Sequence, residues 1–151
     1  MSRRSVLVVT SITAVLVIAL AFLVTTAAHA GSATLTGQPW TLTKLVVDGQ
    51  EHALSSGYPI TLSFSSQDNS VSGSAGCNAY GASYTLTGKQ LSFESMRSTL
   101  AFCENDDIMV REFAYLDALG RVENYHLDGD TLTLQGDNGQ VLMTFQFTPS
   151  T

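Results

Sequence analysis

The sequence predicts a mostly-β α+β domain, an antiparallel meander of about eight short strands with one helix laid on it. Two observations carry this expectation. From Trp40 to Phe147, short runs of alternating apolar and polar residues recur, each closed by a turn rich in Gly, Asp or Asn. One segment, residues 104–119, replaces the period of two with a helical spacing.

The elements follow in order. Residues 41–47 (TLTKLVV) are β-branched and apolar and stop at Asp48-Gly49, a dipeptide suited to a two-residue hairpin. Residues 59–65 place Ile60, Leu62 and Phe64 on one face and turn at Gln67, Asp68 and Asn69. Residues 71–75 lead into a glycine-rich stretch, residues 73–84 (GSAGCNAYGASY). Residues 82–86 and 90–93 flank Thr87-Gly88-Lys89 as a hairpin. Residues 122–127 and 131–134 flank Asp128-Gly129-Asp130, and residues 141–147 follow Asp137-Asn138-Gly139. In the helical segment Met109, Phe113 and Leu116 stand at i, i+4 and i+7, widened by Ile108 and Leu119, and this stripe is expected to face the sheet. Asn105 or Asp106 can cap its start, the acids Glu104, Asp106 and Asp107 suit the positive end of the helix dipole, and Gly120 is a natural stop.

Residues 1–30 are of a different kind. Arg3 and Arg4 precede an uncharged apolar run over residues 6–24, and Ala28-His29-Ala30 fits the small-x-small pattern of a signal-peptidase site. Residues 1–30 are therefore expected to be a signal peptide cut before Gly31. Because the run approaches the length needed to span a bilayer, an uncleaved N-terminal anchor is the alternative. In either case the rest of the chain is extracytoplasmic, secreted or tethered, and membrane contact is confined to residues 6–24. Residues 31–37 read as a linker and residues 38–148 as the domain.

Without Arg3 and Arg4, five basic residues face thirteen acidic ones, a net charge of −8. Lys44, Lys89, Arg97, Arg111 and Arg121 are scattered, which argues against nucleic-acid binding and against an anionic bilayer surface. A single domain is expected as a monomer, with an unknown protein or a small ligand as its partner.

Cys77 and Cys103 are the only cysteines. Cys77 is either a nucleophile or a structural staple. A thiol nucleophile needs a base and a depressed pKa. His52 sits in a polar turn and His126 in an alternating strand, and nothing in the sequence brings either to Cys77. Outside the cytosol an even pair points to a Cys77–Cys103 disulfide. Closing that loop is worth about 3.5 kcal/mol on a chain-entropy argument. Asn78, Tyr80 and Tyr84 are candidate ligand contacts, against the simpler view that they are structural. No catalytic residue, metal ligand or cofactor motif is expected. The acidic turns lack the calcium-loop pattern, the cysteines and histidines lack zinc spacing, and Gly73-Ser74-Ala75-Gly76 is not followed by a phosphate-loop lysine.

Several motifs in order resemble the META/HslJ-like domain family (DUF306-type, including heat shock protein HslJ). Residues 35–42 (LTGQPWTL) are similar to its opening, residues 73–84 to its central "GCN" signature, and residues 98–103 (STLAFC) to its second cysteine motif. An acidic helix with Glu112, Phe113 and Leu116 follows, then a late hairpin at residues 125–134. On this resemblance the signature residues are Trp40, Gly76, Cys77, Asn78, Tyr80, Gly81, Tyr84, Thr99 and Cys103. The resemblance implies a curved, half-barrel-like antiparallel sheet with one packed helix, in an exported or envelope-associated protein of a family without established enzymatic activity. Many members begin with a lipid-anchored cysteine, and residues 1–30 here hold none. The expected function is thus non-enzymatic, in envelope stress tolerance or surface interaction. The alternative is a small-ligand module using the concave sheet face, lined by Trp40, Phe64, Tyr84 and Phe93. A thiol enzyme built on Cys77 is the third reading.

Overall fold

A computed structural model describes residues 34–147. The expected export segment, residues 1–30, lies outside them. Nine strands and one helix follow in order: β1 (Pro39–Val47), β2 (Gln50–Glu51), β3 (Thr61–Ser65), β4 (Ser70–Ser74), β5 (Ala79–Thr87), β6 (Gln90–Ser98), α1 (Asp106–Gly120), β7 (Asn124–Asp128), β8 (Thr131–Gln135) and β9 (Val141–Phe147). All pairings between these strands are antiparallel. The meander runs β1-β3-β4-β5-β6-β7-β8-β9, and β9 returns to pair with β1, so the expected half-barrel closes into a ring. Closure shortens the exposed strand edges that invite aggregation, leaving the two-residue β2 and the part of β6 beyond Gln90 without a second strand partner. The thinnest seam is β6–β7, where Gln90 opposite Asn124 is the one registered pair and α1 is inserted in the chain.

Local chemistry sets the register. Asp48 and Gly49 both take positive φ, 50° and 79°, as the tight turn between β1 and β2 requires. In β1, Leu42 pairs with Phe145 while Lys44 pairs with Thr144, so Thr43 is an extra residue. This bulge resets the alternation, allowing Trp40, Leu42 and then Leu45 all to point inward. β3 and β4 approach closely at Gly73, where a Cβ would overlap the Thr61 carbonyl. Leu35 and Thr36, read from sequence as linker, already belong to the domain. Leu35 accepts the indole N–H of Trp40 at 3.1 Å and Thr36 bridges Phe64.

The ring's interior is filled. Trp40, Leu62, Phe64, Tyr84, Leu91, Phe93, Leu132, Leu134, Met143 and Phe145 form one buried cluster. Phe64 lies edge-on to Tyr84 with centroids 5.3 Å apart and 6.1 Å from Phe93. Trp40, Phe64, Tyr84 and Phe93 therefore do not line an open concave face: all four are buried in the core, Phe64 against Tyr84 and Phe93, and Trp40 edge-on to Phe147 at 6.2 Å.

The helix corrects a second expectation. Asn105 caps it, its side chain accepting the Asp107 N–H at 2.9 Å. The helix ends with Gly120 as its last residue and Arg121 as the C-cap. The buried face, however, is Ile108, Arg111, Glu112, Ala114, Tyr115, Ala118 and Leu119. Phe113 is 76% exposed, and Met109 and Leu116 are only partly buried. The true inward line is Ile108, Glu112, Tyr115 and Leu119, also at helical spacing. A carboxylate in its middle lowers the line's hydrophobicity and makes the Met109–Phe113–Leu116 stripe score better. Tyr115, fully buried, stacks edge-on to Tyr80 at 5.5 Å and Phe145 at 6.4 Å, which fixes α1 to the ring.

Candidate functional site

The signature stretch forms the connection from β4 to β5. Gly76 sits at φ 114°, a conformation open to glycine, and the Ala75 N–H donates to the Asn78 carbonyl at 2.8 Å, closing a tight loop. That loop presents the backbone N–H groups of Cys77 and Asn78 side by side. Cys77 and Cys103 are joined in a disulfide with Cα atoms 6.1 Å apart, which ties the loop to the segment leading into α1. The expected staple is present in the structure.

Glu112 completes the arrangement from α1. Its Oε2 accepts the N–H groups of Cys77 at 3.1 Å and Asn78 at 2.7 Å, and its Oε1 accepts the Asn78 side-chain amide at 2.7 Å. Consecutive backbone N–H groups around an anion make a nest. Asn78 also receives the Thr99 hydroxyl and the Ala101 N–H on Oδ1, each at 2.7 Å, and donates to the Ala101 carbonyl at 3.0 Å. Both amide hydrogens and both acceptor positions of Asn78 are thereby used. Three chain segments (the signature loop, residues 99–103 and α1) meet on one buried amide. Asn78 and Thr99 are joined directly, and Cys103 ties the same segment to the loop through Cys77.

The candidate ligand contacts are occupied by the protein itself. Asn78, Tyr80 and Tyr84 are all buried. Tyr84 donates to the Ser65 carbonyl at 3.3 Å. Tyr80 donates to the Thr61 carbonyl at 2.9 Å and lies 2.6 Å from the Tyr115 hydroxyl. Since Tyr80 has one proton and Thr61 takes it, Tyr115 is the donor in the pair. Burial raises both phenols above their ordinary pKa, and for Tyr115 the neighbouring Tyr80 raises it further. Their hydroxyl and amide groups are thus turned to protein partners rather than to an exposed edge.

The remaining signature residues serve geometry. Trp40 is buried in the core, and Gly81 leaves a bare spot on the outer sheet face below Arg97. Around that spot runs a shallow groove of about 450 Å3 lined by Asp68, Ser70, Ser72, Tyr80, Gly81, Arg97, Ser98 and Thr99, so Tyr80, one of the candidate contacts, borders it. Asp68 is held below the usual carboxylate range by hydrogen bonds from the Ser65 and Ser70 hydroxyls. His126 is exposed on β7. His52 lines a separate cleft with Asp107, Val110 and Arg111. Among the described residues no histidine hydrogen-bonds to Glu112 or to the disulfide loop.

Two features were not legible as functional from sequence. Glu112 was seen only as part of a motif. The signal that finds it is a charged residue centred on the line Ile108, Tyr115 and Leu119. The second is Arg111, buried with one guanidinium N–H on the Ala53 carbonyl at 3.3 Å and with Nε and Nη2 unpartnered.

The META domain family model matches residues 33–148. Among solved structures, an NMR structure of a protein from Burkholderia xenovorans is similar at 32% identity, covering 77% of this chain and 85% of that one with a TM-score of 0.64. A further NMR structure shares the fold at 21% identity, covering 76% of this chain and 94% of that one with a TM-score of 0.55. A search of the curated proteins found no match. The family model covers more than half of the chain, and Gly76, Cys77, Asn78, Thr99 and Cys103 of the signature meet at the disulfide-tied loop: this chain belongs to the META domain family.

Proposed function

We propose that this META domain is a non-enzymatic, extracytoplasmic module that acts through its surface in envelope stress tolerance. The observation that carries the reading is the consumption of the signature's chemistry. Cys77 is spent in a disulfide, Asn78 has no unsatisfied amide position, and the Glu112 carboxylate is buried on three N–H donors. A motif whose polar atoms all point inward holds a shape for another surface to meet. The disulfide also suits an oxidising compartment.

The test is deletion of the gene followed by challenge with heat, oxidant or detergent. Loss of survival is expected, with rescue by the intact chain. Unchanged survival under every challenge, or turnover of a substrate abolished by one pocket substitution, overturns the reading. A second reading, a polar small-ligand module, is favoured by the groove at Arg97 and Asp68. Arg97→Ala abolishing saturable binding of a polar small molecule would establish it.

A further inference from the structure

We propose that the outward face of α1, together with the disulfide loop before it, is a docking surface for a basic, apolar-faced segment of another protein. The proposal rests on the surface-acting reading above and names where that surface lies. Leu100 is 98% exposed, Phe102 and Phe113 are 76% exposed and Val110 is 60% exposed, while other exposed large apolar side chains among the described residues reach at most 43%. Apolar side chains that open to water, gathered on neighbouring segments, mark an interaction site.

These residues share one rigid platform. Asn78 Nδ2 bridges the Ala101 carbonyl and Glu112 Oε1, so the loop carrying Leu100 and Phe102 is held to the helix turn carrying Phe113. The Cys77–Cys103 disulfide holds the same loop a second time. A surface ordered in advance loses little entropy on binding. Val110 also walls a cleft of about 330 Å3 beside Leu54, which gives an anchoring side chain somewhere to enter.

Charge selects the occupant. Asp106, Val110, Phe113 and Asp117 fall on one line of the helix at i, i+4, i+7 and i+11, so the apolar centre has a carboxylate at each end. Glu104 and Asp107 add to the first end. Among the described residues only Asp117 of these four has a cationic partner, Arg121 at 3.3 Å. Two copies of this face would set carboxylate against carboxylate, and an anionic bilayer would be repelled in the same way. A segment with apolar side chains flanked by Lys or Arg meets both features, as an amphipathic helix does in a groove.

The test uses the mature protein purified from its native cells and two synthetic amphipathic peptides of roughly 18 residues, about five helical turns. One is Leu/Lys, the other Leu/Glu with the same apolar face. The Leu/Lys peptide is expected to bind, more weakly as salt rises, and the Leu/Glu peptide is not. The Phe102→Ser/Phe113→Ser variant is expected to bind about tenfold or more weakly, as loss of two aromatic anchors implies. Glu104→Gln/Asp106→Asn, which leaves the apolar centre in place, is expected to flatten the salt dependence. Urea unfolding of each variant shows that the fold is kept. Equal binding to wild type and both variants overturns the proposal. So does a dimer dissolved by Phe113→Ser, or Phe113-dependent binding to uncharged phosphatidylcholine vesicles. If no peptide binds but the Phe102→Ser/Phe113→Ser strain still loses stress survival, the surface reading stands and the basic partner is wrong. If survival is unaffected, the surface reading fails as well.

Discussion

Glu112 holds Asn78 by both carboxylate oxygens, one on the backbone N–H and one on the side-chain amide, each at 2.7 Å. The helix and the signature loop are far apart in sequence, so this contact closes the fold around the loop. Glu112→Ala leaves three donors without acceptors, the part-buried N–H of Cys77 and the buried backbone N–H and side-chain amide of Asn78. A loss of about 3 kcal/mol in urea unfolding is expected. Glu112→Gln keeps one acceptor but turns an NH2 against a donor, with an expected loss of about 1–2 kcal/mol. Equal stability of all three proteins would show that the carboxylate contributes nothing to the loop.

The disulfide tests separately. Intact mass before and after reduction should show no alkylation of the oxidised protein and two added groups after reduction. Cys77→Ser/Cys103→Ser should lose about 3.5 kcal/mol, the loop-closure value for its separation of 26 residues. Ready alkylation of Cys77 without reductant would reopen the thiol-enzyme reading.

Two glycines of the GSAGCNAYGASY stretch, Gly73 and Gly81, should respond differently to a methyl group. A Cβ at Gly73 would overlap the backbone carbonyl of Thr61, which neighbouring pairs hold in place. Gly73→Ala is expected to cost about 3 kcal/mol. A Cβ at Gly81 meets the Val71 carbonyl at 3.5 Å and Arg97 Nε at 3.8 Å, ordinary contacts. Gly81→Ala is therefore expected to change stability by about 0.5 kcal/mol or less. Thermal unfolding of both variants decides, and a reversed order would refute the close approach of β3 and β4.

The helix gives a third contrast. Phe113→Ser should be within about 0.5 kcal/mol of wild type, because the ring is exposed. Tyr115→Ala should cost about 3–5 kcal/mol, because a fully buried aromatic leaves a cavity between Tyr80 and Phe145. The opposite ranking would restore the face expected from hydrophobic periodicity.

That contrast also marks the limit of what was legible. Strand positions were readable because period-two alternation and turn dipeptides such as Asp48-Gly49 are local signals. Closure of the ring through β1–β9 was not, since pairing between the two ends leaves no trace in either strand alone. The buried face of α1 was misread because Glu112, a core residue by position, is a charged residue by type. It is tolerated there only because Cys77 and Asn78 bring donors from elsewhere. Asn78 stands out in the sequence as a candidate ligand contact, yet in the structure its side chain is bonded to segments 21 and 34 residues away in sequence.

The Tyr80–Tyr115 pair carries a pH prediction. Burial raises both phenols, so both are neutral in the folded ring while unfolded tyrosines ionise near pH 10, their ordinary value. Between the unfolded and folded pKa values the unfolded chain holds fewer protons than the native one, and stability falls as pH rises. The contribution is fully present below about pH 10 and is lost above it, as the unfolded phenols ionise first. Urea midpoints measured from neutral to alkaline pH should therefore drop more steeply for wild type than for Tyr80→Phe/Tyr115→Phe. The other titrating groups are common to both proteins and cancel in the comparison. Tyr115→Phe alone should lose about 1 kcal/mol at neutral pH, since Tyr80 keeps its bond to Thr61 and loses only the one donated by Tyr115. Parallel curves would mean that the two phenols ionise as readily in the folded protein as in the unfolded chain, and that the pair does not hold α1 against the ring as a neutral, buried unit.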